Sequence, residues 1–352
     1  MDTRLFDYHL PDGQIAREAI EPRDAARLLV AGHDLPAEHR QVRDLPAYLR
    51  PGDLLVLNRT KVIPARLEAR TPTGGVREIL LVHPEDDQSD AWRCLVGGKV
   101  RPGSPLILDD GTPVTVTALH VDGARTVAFP PGTEVIALAE RIGHIPLPPY
   151  LHRADRPEDR QRYQTVFAEV PGSVAAPTAS LHLTPELLEA LTVLGVHIAK
   201  VELRIGPGTF KPVDTERVED FRIHAEWCAC PTETVAAVAA CKARGGRVFA
   251  VGTTVVRTLE TAAQGGELQP WSGWTRLFCH PPWRPRVVDG LLTNFHLPKS
   301  SLLMLVACFT GVERIQALYA QARDAGYRFY SYGDAMLLMP KPPDQPEDIP
   351  RP

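Results

Sequence analysis

The sequence predicts an α/β protein, a large domain of mixed sheet and flanking helices with a small antiparallel β-barrel domain inserted in it. Three observations predict it. From about Arg66 to Val135 the apolar runs are short and strand-like (EILLVHP, WRCLVGG, PLILDDG, VTVTALHVDG, TVAFPPG), parted by Gly, Pro and Asp. After Pro149 strand-like and helix-like runs alternate, as they do where helices pack on a mixed or parallel sheet. Before both, DLLVLN reads as a buried strand of the large domain. The boundaries drawn from these changes are 1–62 and 148–339 for the large domain and 63–147 for the barrel. The segment 340–352 (PKPPDQPEDIPRP) is a proline-rich tail that has no means of burying apolar surface and is expected to be disordered.

Taken in order, residues 22–30 (PRDAARLLV) read as a short helix with Leu28 and Leu29 facing inward. Residues 184–195 carry helix signals at both ends, Thr184 as N-cap, Pro185 in the first turn and Gly195 as the stop. HIAKVELRI is a strand that runs into the turn GPGTF. A helix from Thr232 to Arg244 is ended by Gly245 and Gly246, and the strand RVFAVG follows. The next helix opens at Thr253 and Thr254, one of which is expected to cap it. Further helices start near Ser300 and Val312, and the second of these ends at Gly326 before a strand YRFYSY. There is no internal repeat.

At 352 residues, 44% hydrophobic and 23% charged, the chain has ample material for a core. A formal net charge of −4 provides no global basic field for nucleic acid. Cys94, Cys228, Cys230, Cys241, Cys279 and Cys308 read as free thiols of a reducing compartment. The N-terminal MDTRLFDYHLPDG lacks the apolar centre of a secretory signal. The longest strongly apolar run, Leu302 to Phe309, is far short of the roughly 20 residues of a spanning helix. A buried core helix, no membrane association and a cytoplasmic location are expected.

Several turns are candidates for chemistry. In AVGTTVVRTLE a buried strand delivers the chain to Gly252, where a ligand can approach the backbone. Thr253 and Thr254 open a helix whose free amides favour an anion, with Arg257 one turn on; a plain αβα joint is the alternative. TNFHLPKSS places Asn294 and His296 before a buried helix, where a structural His is the alternative. GPGTF exposes the amides of Gly206, Gly208 and Thr209. In AAPTASLHLTPE the side chains of Thr178, Ser180 and His182 share one face if the segment is extended, and His182 titrates near neutrality. HAEWCAC sets Glu226 beside Trp227, a carboxylate in an apolar setting suited to a base, with a capping or ion-paired Glu as the alternative. Its two cysteines are one residue apart with no second pair, which is not a zinc deaminase pattern, and no metal is expected. The chain has no P-loop, no dinucleotide-binding GxGxxG and no G-x-S-x-G elbow.

These strings also occur in a set order. FDYHLP, DLLVLNRTKVIPARL, PPYLHR…RYQTVFAEVPGSVAAPTASLHLT, GPGTFKPV, IHAEW, AVGTTVVRTLE, VVDGLLTNFHLPKSSLLMLV and YRFYSYGDAML together resemble the S-adenosylmethionine:tRNA ribosyltransferase-isomerase family of the queuosine pathway, from about Leu5 to Met339. The resemblance implies a larger α/β domain with an inserted β-barrel. It implies transfer and isomerisation of the ribosyl part of S-adenosylmethionine onto the aminomethyl group of 7-aminomethyl-7-deazaguanine at the wobble position of tRNA. Adenine and methionine leave, and epoxyqueuosine forms. Such a reaction needs one or two acid/base groups and a water-poor pocket, and no metal. His182, Glu226 and His296 are the acid/base candidates. Thr178, Ser180, Gly206, Gly208, Thr209, Gly252, Thr253, Thr254, Arg257, Asn294, Tyr332 and Asp334 are the candidates for holding S-adenosylmethionine, Arg257 at the methionine carboxylate. The expected partner is the anticodon region of tRNA, met by a monomer.

The chain departs from the family pattern at several polar positions. Arg59 stands where an acid is usual, Ser180 for Gly, Leu183 for Phe, Glu202 and Arg204 for Thr and His, Ala225 for Ser, and Arg276 for Asp. Changes of charge reverse a local field, and they leave two alternatives open. One is a paralogue acting on a free deazapurine nucleoside or on DNA; the other is a non-catalytic RNA-binding module. A basic face made by Lys61, Arg66, Arg101, Arg153 and Lys299 would favour RNA.

Overall fold

Strands buried on both faces belong in the middle of a sheet covered by helices. Four segments meet that description, Leu54–Asn58, Val248–Val251, Gly290–Asn294 and Ala335–Leu338, with every residue buried. The computed structural model describes residues 1–32, 36–86, 90–210 and 212–339; the proline-rich segment 340–352 lies outside these. In chain order its strands are β1 (Arg27–Ala31), β2 (Glu38–Gln41), β3 (Leu54–Asn58), β4 (Thr60–Val62), β5 (Arg66–Arg70), β6 (Val76–Pro84), β7 (Ala91–Val96), β8 (Pro105–Leu108), β9 (Pro113–Leu119), β10 (Arg125–Ala128), β11 (Val170–Ser173), β12 (His197–Leu203), β13 (Glu226–Cys230), β14 (Val248–Val251), β15 (Trp271–Thr275), β16 (Gly290–Asn294) and β17 (Ala335–Leu338). The helices are α1 (Val135–Ile142), α2 (Asp159–Arg162), α3 (Pro185–Val193), α4 (Thr232–Ala243), α5 (Thr253–Ala262), α6 (Ser301–Thr310) and α7 (Val312–Asp324).

The chain divides into two units. The first contains the described residues of Met1–Asn58, Thr178–Glu202 and Lys211–Pro352. Its sheet has nine strands in the order β15-β13-β12-β3-β14-β16-β17-β1-β2. β12, β3, β14 and β16 run parallel. β17 is antiparallel to β16, β1 is parallel to β17, and the edge strands β2 and β15 are antiparallel to their neighbours. The sheet is therefore mixed, as expected. α3 keeps its predicted ends, with the Thr184 side chain accepting from the Leu187 amide and Gly195 in the left-handed region. α6 is the buried core helix, capped by Ser300 through the Leu303 amide. No single helix among the described residues is long and apolar enough to cross a membrane.

The second unit is Arg59–Pro177 with Leu203–Phe210. Its centre is a closed antiparallel barrel, β10-β7-β6-β5-β8-β9, spanning Arg66 to Ala128. Closure leaves no unpaired edge. Alternate residues fill the interior, among them Leu67, Ile79, Leu81, Trp92, Cys94, Val116 and Val127, and α1 adds Val135, Leu138 and Ala139 to the same core. Beside it β4 and β11 pair in parallel, and Ser173 Oγ lies 2.7 Å from Thr60 Oγ1 while accepting from the Ile205 amide at 2.9 Å.

Three local expectations are corrected. The segment read as a helix at 22–30 is a 3-10 turn at Arg23–Ala25 followed by β1. A run of four buried residues has no period to separate helix from buried strand, and pairing on both sides, to β17 and β2, decides it. YRFYSY is not a strand. Tyr327 and Phe329 pack against Phe295, Tyr330 has φ +73°, and the strand starts only at Ala335. Thr178–His182 is a 3-10 turn and not extended, so its side chains do not share a face by alternation.

The join between α1 and the barrel depends on Gly143. A Cβ there would lie 2.0 Å from the Pro64 carbonyl oxygen and 2.6 Å from that of Ala139. Gly143→Ala should cost about 3 kcal/mol through forced backbone movement, seen as a lower midpoint in scanning calorimetry; an unchanged midpoint would show that the turn gives way freely.

Candidate active site

In open α/β sheets ligands bind beyond the carboxyl ends of the parallel strands. Here the adjacent strands β3, β14 and β16 end at or lead into Asn58, Gly252 and Asn294. Asn58 and Asn294 are buried amides closing apolar strands. Asn58 was not among the sequence candidates, although a polar residue ending the run DLLVLN is the signal for it. Gly252 has φ +90° and is itself the N-cap of α5, with no side chain bonded to the first amides. That corrects the expectation of a Thr cap: Thr253 and Thr254 are already inside the helix, where their hydroxyls do not reach back to the cap position. The amide end of α5 is thus left without a side-chain cap, and the Thr254 hydroxyl oxygen is buried without a partner. A Cβ at 252 would come within 3.7 Å of Ala179 Cβ, so the 178–182 turn lies beside this helix start.

That turn carries a chain of hydrogen bonds. Thr178 Oγ1 donates to Asn294 Oδ1 at 2.9 Å, and Asn294 Nδ2 lies 3.1 Å from His182 Nε2. The His182 ring also bonds the Arg23 carbonyl. A carbonyl only accepts, so Nδ1 holds the proton and Nε2 accepts from Asn294. Burial pushes His182 down to about 4; the Asp334 carboxylate opposes the shift and Arg328 reinforces it. Ser180 is fully buried and its hydroxyl has no partner.

Glu226 opens β13 and is buried, as is Arg257. Arg257 Nη1 donates to Glu226 Oε2 and Nε donates to the Leu277 carbonyl at 3.1 Å, while Nη2 is buried with no partner. Burial pushes the neighbouring thiols of Cys228 and Cys230 up to about 12 and about 11.

Of the remaining candidates Asp334 adjoins this network, its backbone carbonyl 3.5 Å from Asn294 Nδ2, and His296 does not. Burial pushes His296 down to about 3, and its Nε2 lies 2.8 Å from Thr293 Oγ1. Thr293 and Asn294 are successive strand residues and face opposite sides of the sheet, so His296 does not join His182. The Asp334 carboxylate accepts from the amides of Arg27 and Arg328 and from the Arg328 side chain. Tyr332 is buried close by in sequence. Gly206, Gly208 and Thr209 belong to the second unit, at the 3-10 turn Pro207–Phe210. A cavity of about 560 Å³ is lined by Met1 to Arg4, Val213 to Arg217 and Lys299 and includes none of the candidates. The basic residues named above are largely neutralised: Lys61 pairs with Glu140, Arg66 with Glu78, Arg153 with Asp159 and Lys299 with Asp7, at 4.0, 3.3, 2.6 and 2.8 Å. Arg59 likewise faces Glu169 at 4.0 Å.

An uncapped helix start, a buried guanidinium edge and two buried amides that end parallel strands belong to an α/β protein that carries a closed β-barrel as its second unit. A family model described as queuosine biosynthesis protein matches residues 3–338, and the chain belongs to that family. It is similar, at 51% identity over 343 residues, to the S-adenosylmethionine:tRNA ribosyltransferase-isomerase of Acidithiobacillus ferrooxidans, with 97% of this chain and 99% of that protein aligned. The protein of the same name from Thermus thermophilus is 51% identical over 347 residues, 95% of this chain and 98% of the other. The crystal structure of S-adenosylmethionine tRNA ribosyltransferase from Thermotoga maritima is 39% identical with a TM-score of 0.55, covering 95% of this chain and all of that one.

His182 gives the site a pH signature. Its folded value of about 4 lies below the roughly 6.5 of an unfolded chain, so the unfolded state takes up the proton first as pH falls. The stabilisation is complete above about pH 6.5 and is lost toward pH 4, up to about 3 kcal/mol. Urea midpoints should fall over that window, and His182→Asn should remove roughly half of the fall, the rest coming from His296. An identical fall in the variant would assign the loss to other groups.

Proposed function

We propose that this chain transfers and isomerises the ribosyl moiety of S-adenosylmethionine onto the aminomethyl group of 7-aminomethyl-7-deazaguanine in the anticodon region of tRNA. The product is epoxyqueuosine, with adenine and methionine released. It acts as a monomer in the cytoplasm. The observation that carries this is full-length identity of about one residue in two to proteins named for that activity.

The residues fit such a co-substrate. Arg257 Nη2 is a buried cationic donor with nothing to bond, suited to the methionine carboxylate. The uncapped amides of α5 and the unpartnered hydroxyls of Thr254 and Ser180 supply further polar contacts for hydroxyl and ring nitrogen groups. S-adenosylmethionine itself brings a sulfonium that acidifies its neighbouring carbon. Of the three acid/base candidates, His182 and His296 are held neutral by burial. Both ring nitrogens of His182 are already bonded, so it orients Asn294 and Thr178. We assign proton removal to the carboxylate of Glu226, with Arg257 holding it in place.

The deciding experiment incubates the protein with S-adenosylmethionine and tRNA carrying the deazaguanine precursor, following adenine release and the mass of the RNA. Release should depend on the RNA and match its mass gain. Release without RNA, or only with a free nucleoside, would replace tRNA as the acceptor. Glu226→Gln should lower kcat by about 10²-fold or more while S-adenosylmethionine still binds; turnover within a few-fold of the parent protein would remove Glu226 from the mechanism.

A further inference from the structure

The unit that holds Glu226 and Arg257 has a second surface which the proposed chemistry does not use. β15 is an edge strand of the nine-stranded sheet. One side of the chain from β15 onward is fastened to the interior. Thr275 Oγ1 lies 2.7 Å from Thr261 Oγ1 and accepts from the Leu277 amide, and the Leu277 carbonyl accepts from Arg257. With that side committed, every second residue turns outward. Trp274 is 50% exposed, Arg276 is exposed, and Phe278 and His280 are half-buried. Trp274 stands directly opposite Trp227 in the antiparallel register with β13. Phe278 packs edge-on to Phe221 at 5.4 Å and tilted against His280 at 5.0 Å.

Two features of this row specify its occupant. Arg276 makes no ion pair or hydrogen bond among the described residues, unlike the five basic side chains neutralised by acids above. An indole exposed over half its area beside an uncompensated guanidinium suits a ligand offering a flat π-face and a negative charge in alternation. A single-stranded nucleic acid has that pattern, with bases that stack on aromatic rings and phosphates that pair with arginine. In the extended chain of β15 alternate residues stand about 6.7 Å apart, a step of the same order as that between phosphates of an extended single strand. A duplex keeps its bases stacked on each other and has no face to offer.

We propose that the outward row Trp274, Arg276, Phe278 and His280, with Trp227 beside it, receives unpaired RNA of the substrate. Trp274 stacks a base and Arg276 takes the adjoining phosphate. This rests on the tRNA reading above. It gives the acceptor a landing strip on the segment whose inner side holds Arg257, so RNA docking and the Glu226–Arg257 pair share one stretch of backbone. It also gives a use to Arg276, one of the departures from the family pattern.

The test measures binding of tRNA carrying 7-aminomethyl-7-deazaguanine at several salt concentrations, alongside KM for S-adenosylmethionine, for the parent protein and Trp274→Ala, Trp274→Phe and Arg276→Ala. Trp274→Ala should weaken RNA binding on the order of tenfold, and Trp274→Phe should restore most of it. Arg276→Ala should lower the slope of log Kd against log salt by about one. KM for S-adenosylmethionine should stay within twofold in all three. Unchanged RNA affinity and salt slope in the variants would overturn the surface assignment. So would a loss of RNA and S-adenosylmethionine affinity together, or a change in light-scattering mass that marks the tryptophans as a contact between copies. Failure of the parent protein to bind or modify the RNA would instead overturn the tRNA reading itself.

Discussion

Every residue of helix α5 except Thr254 is buried, and the helix carries two charged side chains three residues apart, Arg257 and Glu260. A buried charge without a partner costs several kcal/mol, so each has to be answered from within the fold. Arg257 is answered by Glu226 of β13 and by the Leu277 carbonyl. Glu260 accepts from three consecutive amides, Arg286, Val287 and Val288, in the loop that leads into β16. Burial raises the pKa of Glu260, and those amides oppose the rise. Thr261 adds the bond to Thr275. One helix thereby fixes the antiparallel edge pair β13 and β15, the segment 275–277 and the approach to Asn294. The buried side-chain atoms it leaves without a partner are Thr254 Oγ1 and Arg257 Nη2, and its first amides have no side-chain cap.

The sheet explains why these residues meet. Parallel strands deliver successive segments to the same end, so Gly252 and Asn294, far apart in the chain, become neighbours through the β14–β16 pairing. The 178–182 turn is then fastened across them by Asn294 and by the close approach of Ala179 to Gly252. His296 follows Asn294 by two residues yet serves the other side, packed against Thr293 and bonded through its backbone to Tyr319 and Tyr8.

Much of the fold was legible because its signals are local. The barrel strands announced themselves by short alternating runs between turn residues, and α3 and α6 by Thr184 and Ser300 at their caps. What was not legible depended on pairing. Residues 28–31 take a strand because β17 and β2 lie on either side, and 327–332 does not because an aromatic cluster claims its side chains. For the site, residue types and loops were legible and their mutual arrangement was not. Nothing in TASLH tells that Ser180 is buried with an idle hydroxyl, or that both nitrogens of His182 are committed. Sequence order also gave no warning that Asp334 spends its carboxylate on backbone amides.

The chain of bonds from Arg23 through His182 and Asn294 to Thr178 has a polarity. The Arg23 carbonyl fixes the imidazole tautomer, the tautomer fixes the amide's orientation, and the amide oxygen takes the one hydrogen that the Thr178 hydroxyl has. On its open side Thr178 has only lone pairs. Such an oxygen can accept from an alcohol or an amine and has no hydrogen left to give a carbonyl. The polarity of that oxygen is thus set by a backbone carbonyl more than 150 residues away in the chain.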